Sequence, residues 1–220
     1  MVMRLQRIEF GALLSYSPHG KTPRDVASKG VMSAVKNDEF VIASGNQIQM
    51  SEFVAQSVKE KRGSLPFFSH LFDSNPVLVP TPSSALKRPG SLWVPNRIAL
   101  ALKSELGCEA AKCLVRVKPL PRSATSAASS RSTAAQHFES LEVQEILAQP
   151  KSILLIDDVV TRGATLLGAA NRLAESYPDA QITAFAALRA IGNPAEFKSV
   201  NDPVKGVITL QSNGGTLRRP

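Results

Sequence analysis

Residues 153–165 read ILLIDDVVTRGAT, and this stretch decides the fold. Four apolar residues lead into two neighbouring aspartates, Asp157 and Asp158, and two valines then lead into a small polar loop around Gly163. A continuous apolar run is typical of a central strand in a parallel sheet, which is buried on both faces. Ligands of such sheets bind beyond the carboxyl ends of the strands, where this acidic pair stands. The stretch therefore predicts an α/β protein with a binding site at this point.

The polar loop Thr161–Thr165 directly precedes a helix predicted over 164–176. A helix N-terminus offers free N–H groups and the positive end of the helix dipole, so an anion is stabilised there. Gly163 lets the backbone approach the anion closely, and the two threonine hydroxyls add hydrogen-bond donors. Carboxylates beside such a loop suit a ligand with both hydroxyls and phosphate, which is a sugar phosphate. A plain strand end with helix-capping aspartates is the alternative, and the complete tract favours the ligand site.

Strands alternate with helices along the rest of the chain, which indicates a mainly parallel sheet covered on both faces. We predict that this sheet contains 77–80, 113–117, 152–156 and 182–188, with helices near 95–106 and 164–176. The remaining predicted elements are a strand at 5–16, helices at 23–36, 51–62 and 136–148, a last strand at 204–210, and a loose tail at 211–220.

The composition limits the class of protein and its partners. A chain of 220 residues fits one large α/β domain. The net charge of +8 favours anionic partners, although a dispersed charge that only aids solubility is the alternative. Cys108 and Cys113 have no histidines at ligand spacing and are interpreted as free core thiols. With no signal peptide and no apolar run long enough for a membrane helix, we expect a cytoplasmic protein without membrane partners.

The tract 153–165 resembles the signature by which type I phosphoribosyltransferases bind 5-phosphoribosyl 1-pyrophosphate (PRPP), and all 13 positions agree with that pattern. The ComF-like branch of this family is similar over about residues 11–190. Its early tract, which ends in a helix with an apolar residue and lysine, corresponds to 16–36. Its Pro-Val-Pro strand end corresponds to VPTP at 79–82, and its Arg-rich flap corresponds to 116–138.

The resemblance implies a mainly parallel, doubly wound sheet of the type I phosphoribosyltransferase kind with a small N-terminal hood-like elaboration. Residues 1–75 would form the elaboration, and 76–210 would form the core with a flexible loop at about 118–135. The tail 211–220 would follow.

The resemblance also assigns roles to residues at the acidic pair and its loop. Asp157 and Asp158 would be the catalytic pair and would hold the ribose hydroxyls. The PRPP-binding residues would be Asp157, Asp158, Thr161, Arg162, Gly163, Ala164 and Thr165. The cofactor would be Mg²⁺, held mainly through PRPP and secondarily by Asp157 and Asp158. We expect a bulky residue at Gly163 to abolish PRPP binding and to leave the fold intact.

Two further loops are candidates by position. The pyrophosphate loop would follow the strand at 77–80 and contain Thr81, Ser83, Ser84, Lys87 and Arg88; a solvated basic loop is the alternative. A mobile lid over PRPP would contain Lys118, Arg122 and Arg131, and simple disorder is the alternative.

The chain departs from the family in three respects. It lacks the four-cysteine zinc finger that ComF-like proteins often carry. Trp93-Val94-Pro95-Asn96 stands where the branch has Arg-Gly-Phe-Asn-Gln, and Trp93 is interpreted as a packing anchor, with base stacking as the alternative. In members that use 6-oxopurines, an aspartate acts as general acid and base at the position that is Thr161 here.

The sequence therefore leaves three functions open. The first is transfer of a 5-phosphoribosyl group to an unidentified acceptor, with a nucleobase as one option, and release of pyrophosphate. The second is a catalytically silent regulator that binds PRPP or a nucleotide. The third is a basic protein associated with nucleic acid, for which no motif is present. The expected partners are PRPP or a related sugar phosphate or nucleotide, and a homo-oligomer is a further option.

Overall fold

The computed structural model describes residues 3–86, 88, 90–120, 132–144 and 149–220. The strands are β1 (Arg7–Tyr16), β2 (Phe40–Ala43), β3 (Asn46–Gln49), β4 (Val77–Pro80), β5 (Glu109–Ala110), β6 (Leu114–Arg116), β7 (Leu141–Val143), β8 (Ser152–Val160), β9 (Gln181–Ala190), β10 (Asn201–Leu210) and β11 (Thr216–Arg219). The helices are α1 (Pro23–Asn37), α2 (Met50–Arg62), α3 (Pro66–Phe72), α4 (Val94–Leu106), α5 (Ala134–Glu139) and α6 (Ala164–Ser176).

Seven strands form the central sheet in the order β11-β10-β1-β9-β8-β4-β5. The parallel part of the sheet consists of β1, β9, β8, β4 and β5. At the edge beyond β1, the sheet is extended by β10, which is antiparallel to β1, and by β11, which is antiparallel to β10. Strand β8 lies between β9 and β4, and its residues Ile153–Ile156 are fully buried. The predicted central strand and the mainly parallel α/β sheet are confirmed.

Two hydrophobic clusters cover the two faces of the sheet. One cluster joins the sheet to α1, α2, α3 and α4, and the other joins it to α5, α6 and the ribbon β6–β7. Neighbouring residues of β8 divide between them, because successive side chains of a strand point to opposite faces. Leu154 and Ile156 pack toward α1–α4, and Ile153 and Leu155 pack toward α6.

The prediction that 113–117 belongs to the central sheet is wrong. Within that stretch β6 pairs antiparallel with β7 in a separate two-stranded ribbon, and β5 takes the edge of β4 instead. The guanidinium of Arg116, in β6, is buried among hydrogen-bond acceptors outside the sheet, which requires the ribbon position. The helix predicted over 136–148 ends at Glu139 and gives way to β7, and residues 145–148 lie outside the described residues.

The tail predicted to be loose at 211–220 contains β11, which pairs with β10 from Val207↔Arg219 to Leu210↔Thr216. This pairing depends on the close approach of the chain at Gly206. A side chain there would place Cβ 2.2 Å from the Arg219 carbonyl oxygen and 2.5 Å from Cε1 of Phe10. The C-terminal hairpin β10–β11 is therefore an integral edge of the sheet.

The N-terminal segment contributes both to the sheet and to its cover. Strand β1, which the predicted boundary at residue 75 assigns to the elaboration, lies inside the central sheet between β9 and β10. The hairpin β2–β3 stands apart from the sheet, between α1 and α2. Within the described residues no helix is both long enough and apolar enough to cross a membrane.

We expect Gly206→Ala to destabilise the protein by about 1–3 kcal/mol, because the new methyl group overlaps Phe10 and the Arg219 backbone. Chemical denaturation measures this. The matched control is Gly30→Ala, in α1, where a Cβ meets nothing within 4 Å. The control should be neutral or stabilising by up to about 1 kcal/mol, since alanine favours a helix. Equal effects of the two substitutions would contradict the tight packing of the hairpin.

Candidate functional site

The Asp157 carboxyl is buried at the carboxyl end of β8. Its Oδ1 accepts hydrogen bonds from Oγ1 of Thr81, at 2.8 Å, and from the backbone N–H of Asp158, at 3.0 Å. Thr81 reaches this position because β4 and β8 run parallel with Pro80 opposite Ile156, and the Thr81 N–H continues the ladder to the Ile156 carbonyl. The strand pairing therefore brings together two residues that are 76 positions apart in the chain.

Burial raises the pKa of Asp157 well above its ordinary value of 3.8, and the neighbouring Asp158 charge raises it further. The hydrogen bond from Thr81 lowers the pKa, but this effect is smaller. Two adjacent carboxylates repel each other unless a cation or donors lie nearby, so the site favours the protonated form of Asp157 when no ligand is bound.

Asp158 lies on the other side of β8. Its Oδ2 is 3.8 Å from Nζ of Lys36, at the end of α1, and its side chain is partly exposed. Because successive side chains of a strand point to opposite sides, the sequence predicts opposite directions for the two carboxylates. In agreement, Asp157 lies beside the polar loop and Asp158 lies beside α1. Lys36 is a cation at the site that the sequence analysis did not single out for this role.

The loop after β8 and the start of α6 form a cleft. Residues 159–166 line it, together with Asp157 and Ser132. Gly163 is the residue before α6, and it has a positive φ of 85° and no side chain to cap the helix. The first N–H groups of α6 therefore lack a side-chain acceptor at Gly163, and a helix N-terminus of this kind suits an anion.

Ser132 supplies an independent sign that the cleft holds a polar ligand. Its residue is 5% exposed, and its Oγ has no hydrogen-bond partner among the described residues. A buried hydroxyl without a partner costs free energy, and a ligand in the cleft would supply the missing acceptor. The sequence analysis placed Ser132 within a candidate lid and gave it no role of its own.

The expectation that a bulky residue at Gly163 leaves the fold intact is wrong. A Cβ at Gly163 would lie 2.6 Å from Cδ1 and Cγ1 of Ile208, which is fully buried in β10. The positive φ adds strain for any residue with a side chain. A substitution at Gly163 therefore tests the packing of the sheet edge as well as the phosphate loop.

Three residues of the loop after β4 make hydrogen bonds to other parts of the chain. Thr81 is engaged with Asp157, the Ser83 carbonyl accepts from Arg116, and the Ser84 carbonyl accepts from Leu120. Of the basic candidates in this loop, Arg88 is exposed and Lys87 lies outside the described residues. In the predicted lid, Lys118 is exposed, whereas Arg122 and Arg131 lie outside the described residues.

Arg116 and His137 form a buried polar network beside the cleft. The Arg116 guanidinium donates to the carbonyls of Ser83 and Pro82 and to the Ser140 hydroxyl, and its charge lies close enough to Asp157 to affect its own pKa. Nε2 of His137 lies 3.4 Å from Oγ1 of Thr165, and Nδ1 lies 3.5 Å from Nη2 of Arg116. The network links the loop after β4 to the start of α6.

Burial lowers the pKa of both network residues. The pKa of Arg116 falls to about 10, so its guanidinium stays charged at neutral pH. The pKa of His137 falls to about 4 through burial and the Arg116 charge, so its imidazole is neutral there. The sequence signal for Arg116 was available, because a charged residue inside an apolar strand needs partners. His137 carried no such signal.

Trp93 is partly buried at the start of α4. Its indole Nε1 donates to the Thr81 carbonyl oxygen at 2.8 Å, which fixes the loop after β4 to the start of α4. The same ring lines a second cleft with residues 90–92, Asn96, Arg97 and Lys112. Trp93 therefore connects this second cleft to Thr81, whose hydroxyl donates a hydrogen bond to Asp157.

The acidic pair has the ligand chemistry that Mg²⁺ prefers, because the ion binds oxygen and usually keeps one or two carboxylates plus ligand phosphates. No group of three His, Cys, Asp or Glu side chains within the described part of the chain is arranged to hold a metal ion by itself. The acidic pair supplies two carboxyl groups, which would be completed by ligand phosphates in the proposed Mg²⁺ site.

No protein-family profile matches this chain, and no curated protein sequence matches it significantly. The resemblance to phosphoribosyltransferases therefore depends on the residues of the tract 153–165 and on their arrangement.

We expect Gly163→Ala to lower the free energy of unfolding by about 1–3 kcal/mol, from backbone strain and the overlap with Ile208. The double variant with Ile208→Ala tests the cause by urea denaturation. If the overlap matters, the second substitution should make the Gly163→Ala effect smaller than it is in the wild type. Additive effects would contradict the contact.

The His137 pKa predicts an acid limit to stability. The folded value of about 4 lies below the ordinary value of 6.5, so unfolding takes up a proton between these pH values. The contribution of His137 is complete above pH 6.5 and is lost as the pH falls toward 4, with a slope of at most about 1.4 kcal/mol per pH unit. Urea denaturation across this range should show a smaller slope in His137→Gln than in the wild type. Equal slopes would contradict the neutral buried imidazole.

Proposed function

We propose that this protein binds PRPP and transfers its 5-phosphoribosyl group to an acceptor, with release of pyrophosphate. One observation carries the proposal: a buried acid and an uncapped helix N-terminus share a single cleft at the carboxyl end of the central strand. A ligand with ribose hydroxyls on C2 and C3 and a phosphate on C5 would meet both requirements at once. The mainly parallel sheet supports the type I phosphoribosyltransferase fold as the finer assignment.

The 5-phosphate would bind to the loop 161–165 and the first N–H groups of α6. Thr165 contributes a hydroxyl at the cleft, and Ser132 contributes the buried hydroxyl that lacks a partner among the described residues. The helix dipole and the nearby Arg116 charge both favour a dianion there. These groups are held by the folded protein, so little reorganisation accompanies binding.

The ribose hydroxyls would donate to the acidic pair. Asp157 is the better placed of the two, because it lines the cleft. Because the pKa of Asp157 is raised, its carboxyl would have to lose a proton before both oxygens could accept hydrogen bonds. A cation bound with the ligand would favour this loss. Asp158 would act from the far side of the strand, in competition with its contact to Lys36.

The reaction would break the bond between the anomeric carbon and the pyrophosphate oxygen, which leaves with the electron pair, and form a bond to the acceptor nucleophile. Bound Mg²⁺ would supply charge neutralisation of the leaving pyrophosphate. The chain would supply contacts to both the hydroxyls and the phosphate of the ribose phosphate, which hold it in position for the reaction. In this scheme Thr81 positions Asp157 and does not bind pyrophosphate directly. The predicted pyrophosphate loop would then consist of Ser83, Ser84, Lys87 and Arg88.

A silent PRPP-binding or nucleotide-binding regulator is the second candidate. The observation that favours it is Trp93-Val94-Pro95-Asn96, which stands where the ComF-like branch has Arg-Gly-Phe-Asn-Gln. Release of pyrophosphate from PRPP, measured with a panel of nucleobases, separates the two candidates. Binding without release would support the regulator.

Isothermal titration with PRPP and Mg²⁺ tests the binding proposal directly. Each of the variants Asp157→Asn and Asp158→Asn should weaken PRPP binding by about 1.5–3 kcal/mol, the loss expected for a charged hydrogen bond. Asp157→Asn should also keep or raise stability without ligand at pH 7. The raised pKa of Asp157 makes its stability contribution largest at low pH, and that contribution falls as the pH rises through the folded value.

Glu142→Gln is the matched control, because Glu142 is an exposed acid of β7. It removes the same charge and should leave PRPP affinity within about twofold. Unchanged affinity in both aspartate variants, together with a large loss of stability without ligand, would make the pair a structural cap. That result would remove the main support of the transferase proposal.

A further inference from the structure

The C-terminal hairpin β10–β11 lies directly behind the phosphate loop. Ile208 of β10 fills the space beside Gly163. Opposite Ile208 in the ladder stands Arg218 of β11, whose Nε donates to the Thr161 carbonyl oxygen at 2.6 Å. The loop is therefore contacted on its back by an apolar side chain and by a guanidinium, both from the same pair of strands.

The Arg218 side chain joins the ends of two central strands. Its Nη2 donates to the Ala190 carbonyl at the end of β9, and its Nε holds Thr161 just beyond the end of β8. The guanidinium also lies 5.8 Å from the centre of the Phe10 ring. These contacts hold the side chain in one position against the loop.

Arg218 makes no ion pair among the residues that the structure describes. Asp202 pairs with Arg189, whose charge lies close to Arg218. Within the described residues, Nη1 of Arg218 has no hydrogen-bond partner. The Nη1 atom of this half-buried cation is itself buried and unpartnered among those residues, which costs free energy, and this cost is explained if the residue serves the loop.

We propose that Arg218 is a positioning residue for the 5-phosphate loop, an inference that rests on the proposed function. A trans peptide is planar, and its C=O and N–H point in opposite directions. Because Arg218 holds the Thr161 C=O toward the hairpin, the N–H of the same peptide, that of Arg162, points away from it. Arg218 thus sets the direction of the first backbone donor in the loop, and its positive charge lies behind the anion.

The test compares Arg218→Met with Arg219→Met in the full chain. Methionine keeps much of the length of arginine and removes the charge and the donors. Arg219 is the neighbouring residue and is exposed, so its replacement makes the same charge change without a loop contact. Calorimetric titrations use three probes: ribose 5-phosphate, which carries only the 5-phosphate; inorganic pyrophosphate with Mg²⁺; and PRPP with Mg²⁺.

We expect Arg218→Met to weaken ribose 5-phosphate and PRPP about tenfold, and to leave pyrophosphate within twofold, because the pyrophosphate would bind elsewhere. Arg219→Met should leave all three unchanged within about twofold. The positioning role is overturned if Arg218→Met binds ribose 5-phosphate as tightly as the wild type does. The proposed function stands in that case, provided that the wild type binds PRPP. If the wild type binds neither phosphate ester, the proposed function itself fails.

A second variant and a second measurement guard against a purely structural effect. Arg218→Lys keeps one donor and the charge, so it should recover at least half of the lost ribose 5-phosphate affinity on a logarithmic scale. Amide hydrogen exchange should show faster exchange at 162–165 in Arg218→Met and unchanged exchange in Ile153–Ile156 of β8. The proposal would be overturned if Arg218→Met lowered the melting temperature and accelerated amide exchange uniformly across β8, while ligand affinity below that temperature stayed unchanged.

Discussion

The buried carboxyl of Asp157, which follows the apolar run Ile153–Ile156 within β8, constrains the segments around it. A buried acid needs hydrogen-bond donors, and β4 delivers the Thr81 hydroxyl because it runs parallel to β8 in a fixed register. The Arg116 guanidinium, in the ribbon β6–β7 outside the sheet, lies close enough to Asp157 for the Asp157 charge to affect the pKa of Arg116. The ribbon is in turn held by the contacts of that guanidinium with the loop after β4, so the acid and its surroundings depend on one another.

The positive side of the site has a different physical basis. The start of α6 offers backbone donors without a capping side chain, and Gly163 gives the loop its left-handed turn. Ile208 occupies the space that a side chain at Gly163 would need, so the shape of the loop is fixed from behind by β10. A buried acid and an uncapped helix N-terminus thus lie a few residues apart in one cleft, and this arrangement is the basis for proposing a sugar phosphate as the ligand.

The ligand-free site limits its own charge through protonation. The raised pKa of Asp157 favours its neutral form, and the lowered pKa of His137 keeps the imidazole neutral at the same pH. Arg116 remains charged between them. In the proposed function, a cation bound with the ligand would favour loss of the Asp157 proton.

The sequence alone determined the parts of this protein that depend on local pattern. The apolar run 153–156 specified a central strand, the acidic pair and Gly163 marked the candidate site, and the order of strands and helices specified a mainly parallel sheet. Only the tertiary structure decided which distant residues meet there. Thr81 faces Asp157 through strand register, Arg116 reaches the site from a ribbon that the pattern assigned to the sheet, and Arg218 contacts the loop from a tail expected to be loose. The reason is that hydrophobic periodicity reports the burial of a segment, whereas partners of buried polar groups are set by long-range packing, which a local pattern does not contain.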